Sequence, residues 1–192
     1  MILKKLFCYS ISFNLRVTIL VYIAILLLAC RNPFAPKLEK SLDVNLLVTE
    51  QRTPDDVLQN FKLAYFFRDS LLYSELLDSS FTFIYFDPNI ESSGRFVSWS
   101  RDTDLRTTGR LLREFDVINL VWESTVYKDT LEWNENTGAP IRIEYINRFS
   151  LKLSASGEGF DFDIWGNAHF TFKYCDYDDK WRIIQWKDES YY

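Results

Sequence analysis

The chain has 192 residues, 47% of them hydrophobic and 17% aromatic, and a formal net charge of −5 at pH 7. An acidic balance argues against nucleic acid as a partner, because affinity for phosphate backbones rests on clustered Lys and Arg. One histidine and scattered acids form no metal-ligand cluster, and no glycine-rich phosphate loop or Gly-x-Ser-x-Gly elbow is present, so no metal and no cofactor is expected.

Residues 1–29 contain no acid, three basic residues (Lys4, Lys5, Arg16) and a mainly apolar run over 17–28 closed by Ala29, the layout of a cleaved export signal. A transmembrane helix needs roughly 20 apolar residues, and extending this run backwards brings in Asn14 and Arg16. Leu27-Leu28-Ala29-Cys30 resembles the bacterial lipobox. The resemblance implies that Cys30 is lipidated on sulfur and becomes the new N-terminus, so the membrane is a partner through its acyl chains. The expected location is the cell envelope, exported and lipid-anchored to a bacterial membrane; with Arg31 rather than Asp after the cysteine, this is the outer membrane in a Gram-negative cell.

Loss of the leader removes three of the 22 basic residues and no acid, leaving 19 basic against 27 acidic residues, a net charge of −8. Cys8 leaves with the leader and Cys30 is acylated, so Cys175 is the one remaining thiol and no intrachain disulfide is available. The domain must then hold itself together by core packing.

Residues 30–52, with Pro33, Pro36 and mixed charges, read as the lipidated cysteine and a tether of roughly 25 Å reach. Leu46, Leu47 and Val48 are the part of it suited to dock on the domain. The domain proper is placed at 53–192. Thr53-Pro54-Asp55-Asp56 predicts a helix start, with Thr53 capping, Pro54 in the first turn and acids facing the helix dipole. Val57, Leu58, Phe61, Ala64 and Tyr65 follow at helical spacing. A short helix over 70–77, a strand over 81–86 ended by Asp87-Pro88-Asn89, and a helix over 101–115 come next. After it the apolar period changes to two, predicting strands over 117–127, 141–155, 160–175 and 181–188.

The second and third of these strands can be superposed. A turn over 156–159 pairs Ala155 with Phe160, which aligns the two apolar faces and sets Lys152 opposite Asp163. In that register the apolar face is interrupted once, where Asn147 falls opposite Ala168 and Phe149 opposite Gly166. Pairing Cys175 with Trp181 in the last hairpin then makes Phe170 face Trp186 and brings Asp188 beside Ala168.

The order helix, helix, strand, helix, long strands, with the Thr53-Pro54-Asp55-Asp56 start and the closing Trp181-Arg182-Ile183-Ile184-Gln185-Trp186 strand, resembles the nuclear transport factor 2-like (SnoaL-like) superfamily over residues 53–189. The resemblance implies an α+β fold in which N-terminal helices pack inside a strongly curved, cone-like antiparallel sheet whose open end often holds a small-molecule pocket. It also gives Gly166 a meaning, as the site of a bulge or bend. The pocket would be lined by Asn147, Asp188, Tyr65, Tyr145, Phe170 and Trp186. Ketosteroid isomerase-like members use a carboxylate base with tyrosine or acid donors, roles that Asp188 with Tyr65 or Tyr145 could fill, but no catalytic motif matches and no catalytic residue is assigned.

His169 and Cys175 share the outward strand phase and are read as a surface residue and a free thiol. Asp176-x-Asp178-Asp179 reads as a solvated turn, with Trp181 where a calcium loop needs glycine. Trp165 also faces outward and marks a protein contact surface. Three functions follow in order of preference: a non-catalytic envelope interaction or scaffold module, a binder of a small apolar or aromatic ligand, and an isomerase- or dehydratase-like enzyme with a pocket carboxylate.

Overall fold

A computed structural model describes residues 47–155 and 160–191. The leader, Cys30 and the 156–159 turn lie outside the described residues. Helix α1 (Pro54–Phe67) begins with a capping box: Thr53 Oγ1 accepts from the Asp56 N–H at 3.1 Å and Asp56 Oδ2 accepts from the Thr53 N–H at 3.0 Å. It ends at Arg68, whose left-handed φ of 56° stops the helix. Asp69 then caps α2 (Ser70–Leu76), accepting from Leu71 and Leu72 N–H groups. Strand β1 (Leu77–Asp87) starts directly at the end of α2, four residues ahead of Phe81.

Strand β2 (Arg95–Ser100) is not anticipated by the sequence pattern, because its residues are mostly exposed and lack a buried alternation. It leads straight into α3 (Arg101–Glu114), followed by β3 (Val117–Trp133), β4 (Pro140–Ala155), β5 (Phe160–Cys175) and β6 (Lys180–Tyr191). The six strands form one sheet in the order β2-β1-β6-β5-β4-β3. All neighbours are antiparallel except β1 and β6, which run parallel because the chain returns to β1 after three long hairpin-linked strands.

The β4–β5 register has Ala155 against Phe160, Lys152 against Asp163, Phe149 against Gly166 and Asn147 against Ala168. Lys152 Nζ lies 3.3 Å from Asp163 Oδ2. Both hairpins run through Gly166 without a register shift, so the glycine is not at a bulge. Its role is close approach: a Cβ there would stand 2.3 Å from the Glu189 carbonyl oxygen and 2.5 Å from Ser190 Cα. The end of β6 therefore curls over the one residue of β5 that has no side chain.

The last hairpin pairs Cys175 with Lys180 and Tyr174 with Trp181, one residue from the expected register. An extra residue, Ile184, is then inserted between the pairs Phe172–Ile183 and Thr171–Gln185. This bulge restores Phe170 against Trp186 and Ala168 against Asp188. Before it Trp181 and Ile183 face the core; after it Trp186 lies against Phe170 and Phe61.

The helices fill the hollow of the sheet. Phe61 is the hub, with ring centroids 4.9 Å from Tyr65, 5.3 Å from Tyr73, 5.6 Å from Trp122, 5.8 Å from Phe170 and 5.5 Å from Trp186. Such aromatic pairs each add about 0.5–1.5 kcal/mol beyond their buried area, which suits a domain with no disulfide. Ordered contacts begin before Thr53: Thr49 and the buried side chain of Asn60 exchange backbone hydrogen bonds, and the Gln51 carbonyl accepts from Trp181 N–H at 2.8 Å. The domain thus takes in the last residues of the segment read as tether.

Candidate functional site

A cavity of about 180 Å³ lies between α1, α3 and the hollow of the sheet. Its walls are mainly apolar and include Phe61, Phe83, Trp99, Trp122, Phe149 and Trp186. Among its lining residues Thr107 is exposed, and Leu111, Ile164 and Ser190 are half-buried, as are Trp99, Trp122, Trp186 and Asp188. Two carboxyl groups reach into this setting, Asp104 from α3 and Asp188 from β6.

Asp104 is 2% exposed, and both its oxygens are held. Tyr73 donates its hydroxyl to Oδ2 at 2.6 Å and Trp99 donates Nε1–H to Oδ1 at 3.0 Å. Burial raises its pKa above the usual carboxylate range, and the two donors pull it partly back. Asp188 is placed differently. Its Oδ2 accepts from the Ser190 hydroxyl at 2.9 Å, while Oδ1 is buried and meets no hydrogen-bond partner among the described residues. Burial raises the pKa of this carboxyl too, with the Ser190 hydrogen bond opposing and the Glu189 charge adding to the rise. The nearby indole nitrogen of Trp186 is likewise buried without an acceptor. Tyr65 feels the charge of both acids, and its phenol is pushed far up by burial first and by Asp104 next. It stays a neutral hydrogen-bond donor at any physiological pH.

A raised carboxyl pKa has a thermodynamic consequence at Asp188. The native state binds the proton more tightly than the unfolded chain, so stability falls as pH rises from the ordinary carboxyl value of 3.8 through the folded pKa and is flat above it. Each tenfold by which folding strengthens proton binding removes about 1.4 kcal/mol of stability above that window. Asp188→Asn lacks this loss. Its unfolding free energy, relative to the natural chain, is expected to climb as pH rises above about 4 and then level off. Urea titrations at several pH values measure it; a difference constant over that range would contradict the assignment.

Of the residues expected in the pocket, Tyr65, Trp186 and Asp188 line the cavity. Phe170 is fully buried among Phe61, Trp122 and Trp186 and forms the layer of core next to it. Asn147 shares a cross-strand row with Ala168 and Asp188, is 2% exposed and has an unpartnered Oδ1, but is not part of the cavity wall. Tyr145 is committed elsewhere: its hydroxyl donates to Asp55 Oδ2 at 3.1 Å, at the start of α1, and Lys128 sits 4.4 Å above its ring. Cys30 lies outside the described residues.

The meeting of Tyr73 and Trp99 on Asp104 is not among the sequence expectations, since an acid in the first turn of a helix looks like a dipole partner. The signal available was its spacing from Thr108 and Leu112, which puts it on the apolar face of α3.

His169 is half-buried on the outer face, 3.0 Å from Glu189 Oε2, and Glu189 also pairs with Lys187 at 2.6 Å. Cys175 departs from its reading as an outward thiol. It is 5% exposed, with Sγ 3.7 Å from Asp78 Oδ2 and in reach of Arg182. The start of β1 and the Arg182–Asp178 ion pair cover that end of the outer face. Among the described residues no three His, Cys, Asp or Glu side chains converge on one point.

Solved structures share this architecture. A candidate scytalone dehydratase from Novosphingobium aromaticivorans superposes with a TM-score of 0.57 at 13% identity, covering 78% of this chain and 89% of that one. A candidate dehydratase of the NTF2-like family from Streptomyces avermitilis gives a TM-score of 0.51 at 11% identity, covering 70% and 90%. The domain has the nuclear transport factor 2-like fold. A conserved protein from Planctomyces limnophilus shares it as well, with a TM-score of 0.54 at 14% identity over 71% of this chain and 92% of that one. No protein-family model and no curated protein matches the sequence. At such identities the likeness concerns the fold alone.

Proposed function

We propose that the domain binds a small, largely apolar ring compound in the cone, with Asp188 as the polar group that orients it. The observation that carries this reading is the carboxyl of Asp188 set into the wall of an aromatic cavity, with one oxygen buried and unpartnered. A cavity of about 150 Å³ with apolar walls accepts benzene, so about 180 Å³ suits one substituted ring. A carboxyl group whose pKa is raised by burial, beside a tyrosine that stays protonated, is also equipped to shuttle a proton at the bound ring. The dehydratase names carried by two solved structures of this fold support acid–base chemistry as the finer form of the reading.

The test is a titration of the full-length chain with benzyl alcohol, followed by the fluorescence of the three cavity tryptophans. Saturable quenching is expected, and Leu120→Phe, which fills the cavity from β3, should weaken it on the order of tenfold. Quenching unaffected by that substitution would place the ligand elsewhere.

The tether belongs to the same proposal. The lipobox-like Leu27-Leu28-Ala29-Cys30 supports anchoring of the domain to a bacterial membrane of the cell envelope. Cys30→Ala is expected to move the protein from the membrane fraction to the soluble one; unchanged fractionation would refute the anchor. A second reading, an envelope interaction module, is favoured by one observation: Trp165 is 52% exposed on the outer face of the sheet. Recovery of a stoichiometric protein partner from detergent-solubilised envelope, lost in Trp165→Ser, would support it.

A further inference from the structure

Strands β1 and β6 pair side by side from Thr82–Gln185 to Ile84–Lys187 and then part. Each keeps its other neighbour. Strand β1 remains on β2 as far as Asp87–Arg95, and β6 remains on β5 as far as Tyr191–Trp165. Past this point the Glu189–Ser190 backbone curls over Gly166 of β5. Between the separated strands opens a cleft of about 340 Å³, lined by Tyr85, Phe86, Pro88 and Phe96 on one side and by β6 on the other.

Two features join this fork to the cavity. Asp188 and Ser190 line both. A ladder of rings also runs from one to the other: Tyr85 of the fork is 4.8 Å from Trp99, Trp99 is 4.6 Å from Phe83, and Phe83 is 4.8 Å from Trp186. Size points the same way. Pockets for metabolite-sized ligands occupy roughly 300–1,000 Å³, and the inner cavity alone falls below that range.

We propose that the fork is the second compartment of one ligand site, and that the ligand is a two-part molecule. One ring fills the inner cavity; a second flat apolar group lies against Phe86 and Phe96 in the fork. The carbon joining them carries a hydroxyl or carbonyl group, which meets Asp188 and Ser190 at the junction. An ionised Asp188 accepts from a hydroxyl there and a protonated one donates to a carbonyl, so the buried Oδ1 gains the partner it lacks. This inference rests on the cavity reading given above.

The two can be separated by comparing benzyl alcohol, with one ring on its carbinol carbon, and diphenylmethanol, with two. Binding of each to the full-length chain is read from tryptophan fluorescence. Diphenylmethanol is expected to bind at least about tenfold more tightly, since a second ring is withdrawn from water. Phe96→Ala alters an exposed edge-strand residue that no helix covers, so the domain stays folded. It should remove most of that advantage and leave benzyl alcohol unchanged. Equal affinities for the two probes, or an equal loss of both in Phe96→Ala, would overturn the two-compartment site while the inner cavity stands. Failure of both probes to bind the natural chain would overturn the cavity reading itself.

Discussion

Gly166→Ala is expected to lower the unfolding free energy by about 3 kcal/mol or more, at the upper end of overpacking effects. The new methyl group would stand 2.3 Å from the Glu189 carbonyl oxygen and 2.5 Å from Ser190 Cα, both backbone atoms that cannot swing aside. Relief requires the end of β6 to lift off β5. That movement carries Asp188 and Ser190 with it, so whatever fraction stays folded should also lose ligand affinity. Denaturant midpoints measure the first effect and ligand titration the second. An alanine variant as stable as the natural chain would mean that β6 does not hold this position.

Asp104→Ala is the other substitution with a large expected cost, about 2–6 kcal/mol. It strips the acceptor from the buried Tyr73 hydroxyl at 2.6 Å and the half-buried Trp99 indole at 3.0 Å, and an unsatisfied buried group costs roughly 1–3 kcal/mol. Some is regained, because burial already disfavours the Asp104 charge. Loss of two partners outweighs that relief. Asp104→Asn keeps one acceptor oxygen and should fall between the two. In a Tyr73→Phe background the penalty of Asp104→Ala should shrink, since one donor is no longer orphaned. Equilibrium urea unfolding of the four variants decides it; strict additivity would show that the 2.6 Å contact contributes nothing.

Long-range order was most legible where two long strands carry regular alternation. The apolar phases of β4 and β5 admit one register that aligns both faces, and every pair from Ala155–Phe160 to Asn147–Ala168 follows it. Alternation has less to say about β2, a six-residue edge strand with little burial, or about the start of β1, which grows directly out of α2. The cavity was half legible. Tyr65, Trp186 and Asp188 belong to periodic elements whose inner faces can be counted out, whereas Tyr145 sits on the correct face yet at the far end, tied to Asp55. Asp104 required the third dimension. Tyr73 comes from α2 and Trp99 from β2, and no local pattern announces that they meet on one carboxyl.

The inserted Ile184 in β6 decides the chemistry of the site by counting rather than by residue identity. Upstream of it odd-numbered residues face the hollow; downstream, even-numbered ones do. A chain one residue shorter at this point, with every other side chain kept, would turn Lys187 and Glu189 toward the rings and Trp186 and Asp188 toward the outer face. On that wall of the pocket the Asp188 carboxyl would give way to an ion pair set among tryptophan and phenylalanine, with Asp104 still facing it from α3. Proteins of this fold that differ by one residue in the last strand can therefore present opposite polarity from nearly the same sequence.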